Sequence, residues 1–384
     1  MEHPIYFDNA ATTFPKPASV VNAVSRVIRE SCGNPGRGSH RLAREAANIL
    51  YNCREEIAGL IGLSDPTRVC FTHNTTEALN TAVKGFLRPG DHVLISDLEH
   101  NSVWRPIVAL SESRGVSYDV FSSAAVQRPE NTEHELSSHL KPETRAVICT
   151  HASNICSRTL PLREIGAFCK KHRLLFIVDG AQSVGHLPID MEQMQITALC
   201  APGHKGLYGP QGSGFLALSD SLSEDELPAP LTEGGSGYQS LLPGMPALPP
   251  ERYEAGTAAT PAIAGLSMGI RFVKRIGIKS IAEKEDALFR LAREYLSNMR
   301  GVRVYAPEAV GSVLSFSANG RPAEEIADLL DSDGICVRAG FHCAALAHKA
   351  LGTPKESGTV RLGFGYFNTP DEVRTLVSRL NRIL

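Results

Sequence analysis

The stretch LLFIVDGAQSVGH, residues 174–186, decides the fold class of this chain. Its apolar run ends at Asp179 and is followed by Gly180, which predicts a fully buried strand that stops at a carboxylate. Similar runs occur through the first two thirds of the chain: VCFTH (69–73), HVLIS (92–96), AVICTH (146–151), TALCAP (197–202) and GSGFLAL (212–218). Helical patterns such as PLREIGAFCKKH (161–172) separate them. The alternation predicts an α/β fold with a mostly parallel sheet covered by helices on both faces.

The sequence pattern changes after this region, which indicates a second folding unit. Residues 223–250 contain six prolines and the run GGSG, which are typical of loops. A long helical pattern follows Ala258 and continues beyond Lys279. The remaining elements are a strand VLSFSA (313–318), a helix PAEEIADLLDSDG (322–334), a strand ICVRAG (335–340) and a helix from Pro370. This order predicts a smaller α+β domain packed on the first.

Length, charge and cysteine spacing exclude several classes of protein. At roughly 150 residues per domain, 384 residues predict two or three domains. Lys and Arg number 39 against 41 Asp and Glu, which argues against a nucleic-acid binder. The nine cysteines include no C-x-x-C pair and no zinc-finger spacing, so we predict no metal site and a reducing compartment. No signal peptide or membrane-spanning run is present, which predicts a soluble, cytoplasmic protein without membrane partners.

Polar residues follow several predicted strands, and ligands of parallel sheets bind at these carboxyl ends. Asn74, Thr75 and Thr76 follow the strand VCFTH and open a helix, so their amides and hydroxyls could bind a phosphate. An ordinary helix cap explains the same residues. His100 follows HVLISDL at a similar place, where a lone histidine usually has no special role.

Asp179 and Lys205 are the most informative residues at these strand ends. A carboxylate at the end of a buried strand needs a cation or a donor, which could be a protonated pyridine nitrogen, a metal or a helix cap. Lys205 follows one β-α-β step later in the glycine-rich turn APGHKGLYGPQGSG (201–214). A desolvated lysine there could form a Schiff base, whereas the absence of GK[ST] excludes a Walker A loop. A surface turn is the alternative interpretation for the lysine alone.

Taken together, these motifs resemble the successive motifs of cysteine desulfurases, which are pyridoxal-phosphate enzymes of the class V aminotransferase fold. They span almost the whole chain in the family's order: YFDNAATT (6–13), NTTEALN (74–80), LEHNS (98–102), SN (153–154), DGAQSVGH (179–186), GHK (203–205), GPQGSG (209–214), EAGT (254–257), RAGFHCA (338–344) and VRLGFGYFNT (360–369). The short interval from Cys343 to Arg361 resembles the compact-loop group that includes Suf-type desulfurases and selenocysteine lyases.

The resemblance implies the fold of type I pyridoxal-phosphate transferases. Residues 15–258 would form the large cofactor-binding domain, with a seven-stranded, mostly parallel sheet. Residues 1–14 and 259–384 would form the small α+β domain that contains the catalytic cysteine and the substrate-carboxylate arginine.

The resemblance also assigns a role to each matching residue around the cofactor. Lys205 would hold pyridoxal phosphate covalently and move protons, Asp179 would pair with the pyridinium nitrogen, and His100 would stack on the ring. Gln182 and Asn154 would contact the phenolic oxygen and the substrate. The phosphate would be held by Thr75, Thr76 and His204, and by Thr257 of a second subunit, which implies a homodimer.

Cys343 and Arg361 would act on the substrate in this resemblance. Arg361 would bind the carboxylate of L-cysteine or L-selenocysteine as a fork, with Arg338 and Asn154 as further substrate contacts. Cys343 lies near Arg338 and His342, two candidate cations that could lower the pKa of its thiol. It would attack the substrate sulfur and become a persulfide, leaving alanine, and a protein acceptor would then take the sulfur.

Some positions depart from the family pattern and leave the substrate open. Pro202 stands where a phosphate-binding serine is usual, Gly206 is an extra residue after Lys205, and Gly363 stands where a serine is common. Selenocysteine or another β-substituted amino acid is therefore an alternative substrate. A transaminase, epimerase or lyase of the same fold is an alternative enzyme.

A hydrolase is a remote alternative. GLSMG (265–269) fits G-x-S-x-G, and Asp328 and His342 follow Ser267 in the order that an α/β-hydrolase needs. That site requires a strand before the serine, whereas residues 262–276 are predicted to form one continuous helix.

Overall fold

The structure, a computed structural model, describes residues 4–36 and 38–384. The described residues form thirteen strands: β1 Ile5–Tyr6, β2 Val69–Thr72, β3 His92–Ser96, β4 Ser117–Phe121, β5 Thr144–Thr150, β6 Leu175–Asp179, β7 Ala198–Pro202, β8 Gly214–Leu218, β9 Val302–Val304, β10 Val313–Ala318, β11 Ile335–Cys336, β12 Arg338–Gly340 and β13 Thr359–Gly363. They also form eleven α-helices: α1 Ala18–Glu30, α2 Arg41–Ile61, α3 Thr75–Phe86, α4 Asn101–Arg114, α5 Thr132–Ser138, α6 Leu162–His172, α7 Thr260–Ile276, α8 Ile278–Ser297, α9 Ala323–Ser332, α10 Ala345–Leu351 and α11 Pro370–Ile383.

A seven-stranded sheet forms the larger part of the molecule, in the order β2-β8-β7-β6-β5-β3-β4. The five strands from β7 to β4 are parallel, and only β8 runs antiparallel to its two neighbours. This confirms the predicted α/β fold and its mostly parallel sheet. The sequence interpretation missed β4, because SYDVF lies at the sheet edge and is only partly buried.

Helices cover both faces of this sheet, which explains why its strands read as continuous apolar runs. In β5, Val147 and Cys149 belong to one buried cluster while Ala146 and Ile148 belong to another on the opposite face. Successive side chains of a strand point to opposite faces, so a doubly covered strand must be apolar at every position.

A four-stranded antiparallel sheet, ordered β12-β13-β10-β9, forms the smaller part of the molecule. Strand β1 pairs in parallel with β11 in a separate two-stranded sheet. The single strand predicted over residues 335–340 is wrong, since it divides at Val337 into β11 and β12, which pair with different strands. The long helix predicted after Ala258 is also divided, at Gly277, where a φ of +90° favours glycine.

The two helices on either side of that break pack on different neighbours. Helix α7 packs on α1 and α2, whereas α8 packs on α11, β9 and β10. The proposed domain limits, 15–258 against 1–14 plus 259–384, stay a prediction. Residues 227–259 contain neither helix nor strand, in agreement with the loop composition of this region. Within the described residues, none of the helices is both long and apolar enough to cross a bilayer.

Candidate active site

Asp179 ends β6 and is almost fully buried at the carboxyl edge of the large sheet. Its Oδ1 accepts a hydrogen bond from the amide of Ala181 at 2.9 Å. Burial raises the pKa of Asp179, while the charge of Lys205 lowers it. A buried carboxylate with a single short amide contact retains acceptor capacity for a cationic partner.

Lys205 lies in the turn after β7, and the amino-terminal segment fixes this turn. The carbonyl oxygen of His204 accepts four hydrogen bonds: from the amide of Thr13 at 3.1 Å, from the hydroxyls of Thr12 and Thr13 at 3.2 Å each, and from Nζ of Lys16 at 2.8 Å. Burial lowers the pKa of Lys205 to about 8, against an opposing contribution from Asp179. Its amine is therefore much closer to its neutral, nucleophilic form than an exposed lysine.

Two buried polar atoms near this turn have no hydrogen-bond partner among the described residues, namely Oγ1 of Thr75 and Nδ1 of His204. Thr75 is the first residue of α3, and Asn74 caps the helix by accepting from the amide of Glu77 at 3.0 Å. The prediction of an ordinary helix cap is confirmed. The phosphate site stays a prediction, which the buried Thr75 hydroxyl without a partner among the described residues supports. Thr76, by contrast, is exposed.

His100 is the cap residue of α4, and its Nδ1 accepts from the amide of Ser102 at 3.1 Å. Burial lowers the pKa of His100 to about 4, with contributions from the charges of Lys205 and Arg361. The ring is therefore neutral at pH 7. Gln182 is buried and donates from Nε2 to the carbonyl of Ala10 at 2.9 Å.

Arg361 lies in β13 and is almost fully buried. Its Nη2 contacts Oδ1 of Asp8 at 2.8 Å, and its Nη1 donates to the carbonyl of Asn154 at 3.2 Å. Its Nε has no partner among the residues that the structure describes. Arg338 is paired directly with Arg361 across β12 and β13, and its side chain is exposed. Asn154 donates from Nδ2 to the carbonyl of His342 at 2.8 Å, which links this group to the cysteine loop.

Cys343 lies in the loop between β12 and α10 and is exposed, with a φ of +57°. Its carbonyl accepts from the amide of Asn101 at 2.7 Å, so the loop is attached to the start of α4 beside His100. The idea that His342 is a second cation near this thiol is wrong. His342 is buried, its Nε2 lies 3.1 Å from the carbonyl of Thr359, and burial lowers its pKa far below the usual range.

A comparison with known families agrees with this geometry. The aminotransferase class-V family model matches residues 5–376. The chain belongs to the aminotransferase class-V family. A probable cysteine desulfurase of Methanothermobacter thermautotrophicus is 34% identical over 391 residues, which cover 99% of this chain and 94% of that protein.

Solved structures resemble this class-V protein along nearly its whole length. An apo cysteine desulfurase from Thermococcus onnurineus superposes with a TM-score of 0.90 at 30% identity, covering 99% of this chain and 94% of that chain. The cysteine desulfurase CsdA from Escherichia coli, in an S-sulfonic acid form, superposes with a TM-score of 0.86 at 28% identity and the same coverage. The family resemblance predicted from the motifs is confirmed.

Close packing shows why the residue is glycine at two of the positions that depart from the family pattern in this class-V protein. A Cβ added to Gly206 would lie 2.3 Å from the carbonyl oxygen of Val184, and one added to Gly363 would lie 2.5 Å from the amide of Ala10. Neither position has room for a larger residue. The amide of Gly203 next to Pro202 already donates to Ser213 at 2.8 Å, so it offers no free donor to an anion.

Three further expectations concern the hydrolase serine, a metal site and Thr257. Ser267 lies inside α7 with no strand before it, so the hydrolase alternative is wrong. Among residues 4–36 and 38–384, no cluster of three or more His, Cys, Asp or Glu side chains could hold a metal. Thr257 is exposed and lies 3.5 Å from Nδ2 of Asn34, and its role toward a second subunit stays a prediction.

Two site residues were missed by the sequence interpretation, Asp8 and Lys16. Asp8 is part of the quoted motif YFDNAATT, but its partner Arg361 is 353 residues away, and no local pattern indicates that pairing. Lys16 is followed by a proline, a context typical of a loop, and only the fold shows that its amine contacts the carbonyl of His204.

Proposed function

We propose that this protein is a pyridoxal-phosphate-dependent cysteine desulfurase, which converts L-cysteine to L-alanine and transfers the sulfur to Cys343. The observation that supports this most is the position of Cys343. Its thiol is exposed, and its loop accepts hydrogen bonds from Asn101 at the start of α4 and from Asn154. The carbonyl of Asn154 in turn accepts from the buried Arg361. The names of the relatives point to the same activity.

The residues present fit pyridoxal phosphate. The Thr75 hydroxyl and the His204 ring nitrogen have no partner among the described residues, and with the amides at the start of α3 they suit a phosphate. Asp179 offers a buried carboxylate to a protonated ring nitrogen, and Lys205 offers an amine whose pKa burial has lowered to about 8. When bound, the cofactor supplies an electron sink that weakens the bonds around the substrate's α-carbon.

The protein's own groups then orient the substrate and move its sulfur. Arg361 binds the substrate carboxylate through its free Nε edge, and Arg338 contributes a second positive charge. The neutral ring of His100 can accept or donate a proton next to Lys205. The Cys343 thiolate forms a bond to the substrate sulfur as the bond from that sulfur to Cβ breaks. The electron pair of the broken bond stays on Cβ, which takes up a proton to become the methyl group of alanine. Alanine leaves, and a persulfide stays on Cys343 until a thiol acceptor removes its outer sulfur.

The homodimer and the location of the protein are further parts of the proposal. The loop before α7 exposes several large apolar side chains that a second copy could cover: Leu231, Tyr238, Leu241, Leu242 and Leu248. Thr257 follows this loop and would contact the cofactor phosphate of that second copy. All nine cysteines are free, which suits a reducing cytoplasm in which a protein thiol accepts the sulfur.

The test measures sulfide released from L-cysteine in the presence of a reductant. Lys205→Ala should abolish both activity and the yellow colour of the purified protein. Cys343→Ala should lose more than 90% of the activity, which is a fall in rate of about tenfold, and it should keep the colour. Cys32→Ala is the matched control, because Cys32 is the other exposed cysteine, and it should change neither.

Two outcomes would contradict the proposal. A colourless wild-type protein would exclude the cofactor, and full sulfide release by Cys343→Ala would favour a lyase or transaminase that does not use this thiol. Parallel assays with L-selenocysteine distinguish a selenocysteine lyase, which would prefer that substrate.

A further inference from the structure

Glu285 lies in α8 and is almost fully buried. Its Oε2 lies 2.7 Å from Nδ1 of His186, and its Oε1 accepts a hydrogen bond from the hydroxyl of Tyr208 at 3.4 Å. Burial lowers the pKa of His186, but the charge of Glu285 and its hydrogen bond outweigh burial and raise it. A buried carboxylate is unfavourable unless it is paired, so Glu285 is the centre of a buried polar network.

His186 and Tyr208 come from the two turns that contain the strand-end residues of the site. His186 belongs to the turn that begins with Asp179 at the end of β6. Tyr208 closes the turn after β7, because its amide donates to the carbonyl of Lys205 at 2.8 Å. Glu285 therefore contacts one side chain from each of these turns.

The two turns also touch each other directly. A Cβ added to Gly206 would lie 2.6 Å from Cδ2 of the His186 ring, and one added to Gly185 would lie 2.3 Å from the carbonyl oxygen of Gly206. The His186 ring therefore packs against the main chain of the residue that follows Lys205. Because protein interiors are close-packed, a shift of this ring would displace the turn that contains Lys205.

The backbone of Tyr208 adopts a conformation that its surroundings must enforce. Its φ of +55° lies in the left-handed region, which disfavours a bulky side chain. Such a conformation persists only where other contacts hold it. The side chain is almost fully buried, and its hydroxyl accepts from the amide of Tyr366 at 2.8 Å while it donates to Glu285. Glu285 is therefore one of the contacts that fix the turn after Lys205.

We propose that Glu285 is a positioning residue, which acts through His186 and Tyr208 to hold the amine of Lys205 in the orientation that binds the cofactor. The inference rests on the proposed function in one respect, since it takes Lys205 as the residue that holds pyridoxal phosphate. Helix α8 packs on β9 and β10 of the small sheet. Glu285 thus joins the small-sheet side of the molecule to the turn at the edge of the large sheet.

The test uses the full chain, purified as holoenzyme, stripped of pyridoxal phosphate and then given it back. Growth of the visible absorption band measures capture, and borohydride reduction with peptide mass analysis locates the cofactor on Lys205. Glu285→Gln keeps the size of the side chain and removes its charge. Capture should be roughly ten- to a hundredfold slower, because a displacement of about 1 Å can slow a reaction by about a hundredfold.

A second variant tests whether Glu285 acts through its partner. Tyr208→Phe removes only the hydroxyl and should also slow capture. The double variant should be only as slow as the slower single variant, because residues that act as one unit have non-additive effects. A double variant whose effect is the product of the two single effects would show that Glu285 and Tyr208 act separately, which overturns the inference.

A spectroscopic signal separates positioning from stability. The visible circular dichroism per bound cofactor reports how the site holds the cofactor, and it should differ from wild type in Glu285→Gln. Leu296→Ala truncates a fully buried side chain of the same helix, so it should lower the melting temperature and keep the wild-type capture rate and dichroism. Glu283→Gln is the matched control, because Glu283 is an exposed residue of α8 whose Oε1 lies 3.8 Å from Nζ of Lys279. It should match wild type.

The inference is overturned if Glu285→Gln captures the cofactor at the wild-type rate, or if Leu296→Ala slows capture as much as Glu285→Gln does. If Glu285→Gln does not fold, a wild-type capture rate and dichroism in Tyr208→Phe overturn it. No L-cysteine is present, so the result is separate from the sulfide assay. A yellow wild type that releases no sulfide contradicts the desulfurase alone, whereas a colourless wild type overturns both proposals.

Discussion

The two sheets contribute opposite kinds of chemistry to the site. At the edge of the large sheet, burial drives ionisable groups toward their neutral forms: it lowers the pKa of Lys205 to about 8 and those of His100 and His204 to about 4. At the small sheet, burial also lowers the pKa of Arg361 and Asp8 opposes this, but a guanidinium stays a cation at physiological pH.

This difference separates proton transfer from substrate recognition. A group can give and take protons only if its pKa lies near the working pH, which burial achieves for Lys205. A group that must hold a carboxylate works best with a permanent charge and a planar fork. In the proposed function, the arginines of the small sheet would bind the substrate and the buried groups of the large sheet would move protons, while Cys343, in the loop after β12, would take the sulfur.

The largest predicted effect comes from removing the charge of Asp179 at the large-sheet edge. Asp179→Asn should lower kcat by roughly ten- to a hundredfold, because a buried charged contact contributes roughly 1.5–3 kcal/mol. Asp97→Asn is the matched control, since Asp97 also follows a strand of this sheet but accepts from the amide of Ser123. Sulfide-release kinetics on both purified variants check the prediction. Equal losses in the two variants would show that only the fold of the sheet edge matters.

The second prediction concerns the small sheet. Arg361→Lys keeps a positive charge but loses the planar fork, so KM for L-cysteine should rise about tenfold while kcat and the yellow colour change little. The rise should be larger at pH 9 than at pH 7, because burial lowers the pKa of a lysine, as it does for Lys205, whereas the wild-type arginine stays charged. Arg303→Lys in the exposed edge strand β9 is the control. A fall in kcat without a change in KM would assign Arg361 to the chemistry instead.

The large sheet could be predicted from the sequence because its strands are buried on both faces and continuously apolar. The run ending at Asp179 and the glycine-rich turn around Lys205 are local signals, and the structure places both at the same sheet edge. The edge strand β4 has no such signal, since only one of its five residues is buried.

The small sheet was harder to predict because its contacts are distant in the chain. Nothing local indicates that Val337 divides β11 from β12, because the division depends on pairing of β11 with β1 at the other end of the chain. The protonation of His342 also depends on the fold: the sequence places a histidine beside Cys343, and only burial shows that it is neutral. Asp8 was missed for the same reason, since its contact with Arg361 joins residues near the two ends of the chain.

Glu99 provides the last and smallest test, which measures whether burial keeps a group at the large-sheet edge neutral through its effect on stability. It is fully buried next to His100, and its Oε1 accepts from the hydroxyl of Ser96 and from the amide of Thr150 at 2.9 Å. Oε2 has no partner among the described residues. Burial raises the pKa of Glu99 to about 8, and the charge of Asp179, which pairs directly with Thr150, contributes to this rise. The structure therefore favours the protonated acid.

The sign of the pH dependence follows from this raised pKa. Between the ordinary pKa of 4.5 and about 8, the unfolded chain loses the Glu99 proton while the folded protein keeps it. Stability is therefore lost as pH rises through this window. Glu99→Gln cannot ionise in either state, so its melting temperature should fall less between pH 5 and pH 8 than that of wild type, by a few degrees. Thermal melts of the apo-protein check this, with the exposed Glu143→Gln as control. If the melting temperatures of wild type and Glu99→Gln change with pH in parallel, Glu99 is ionised in the folded protein. Burial would then not keep every ionisable group at the large-sheet edge neutral.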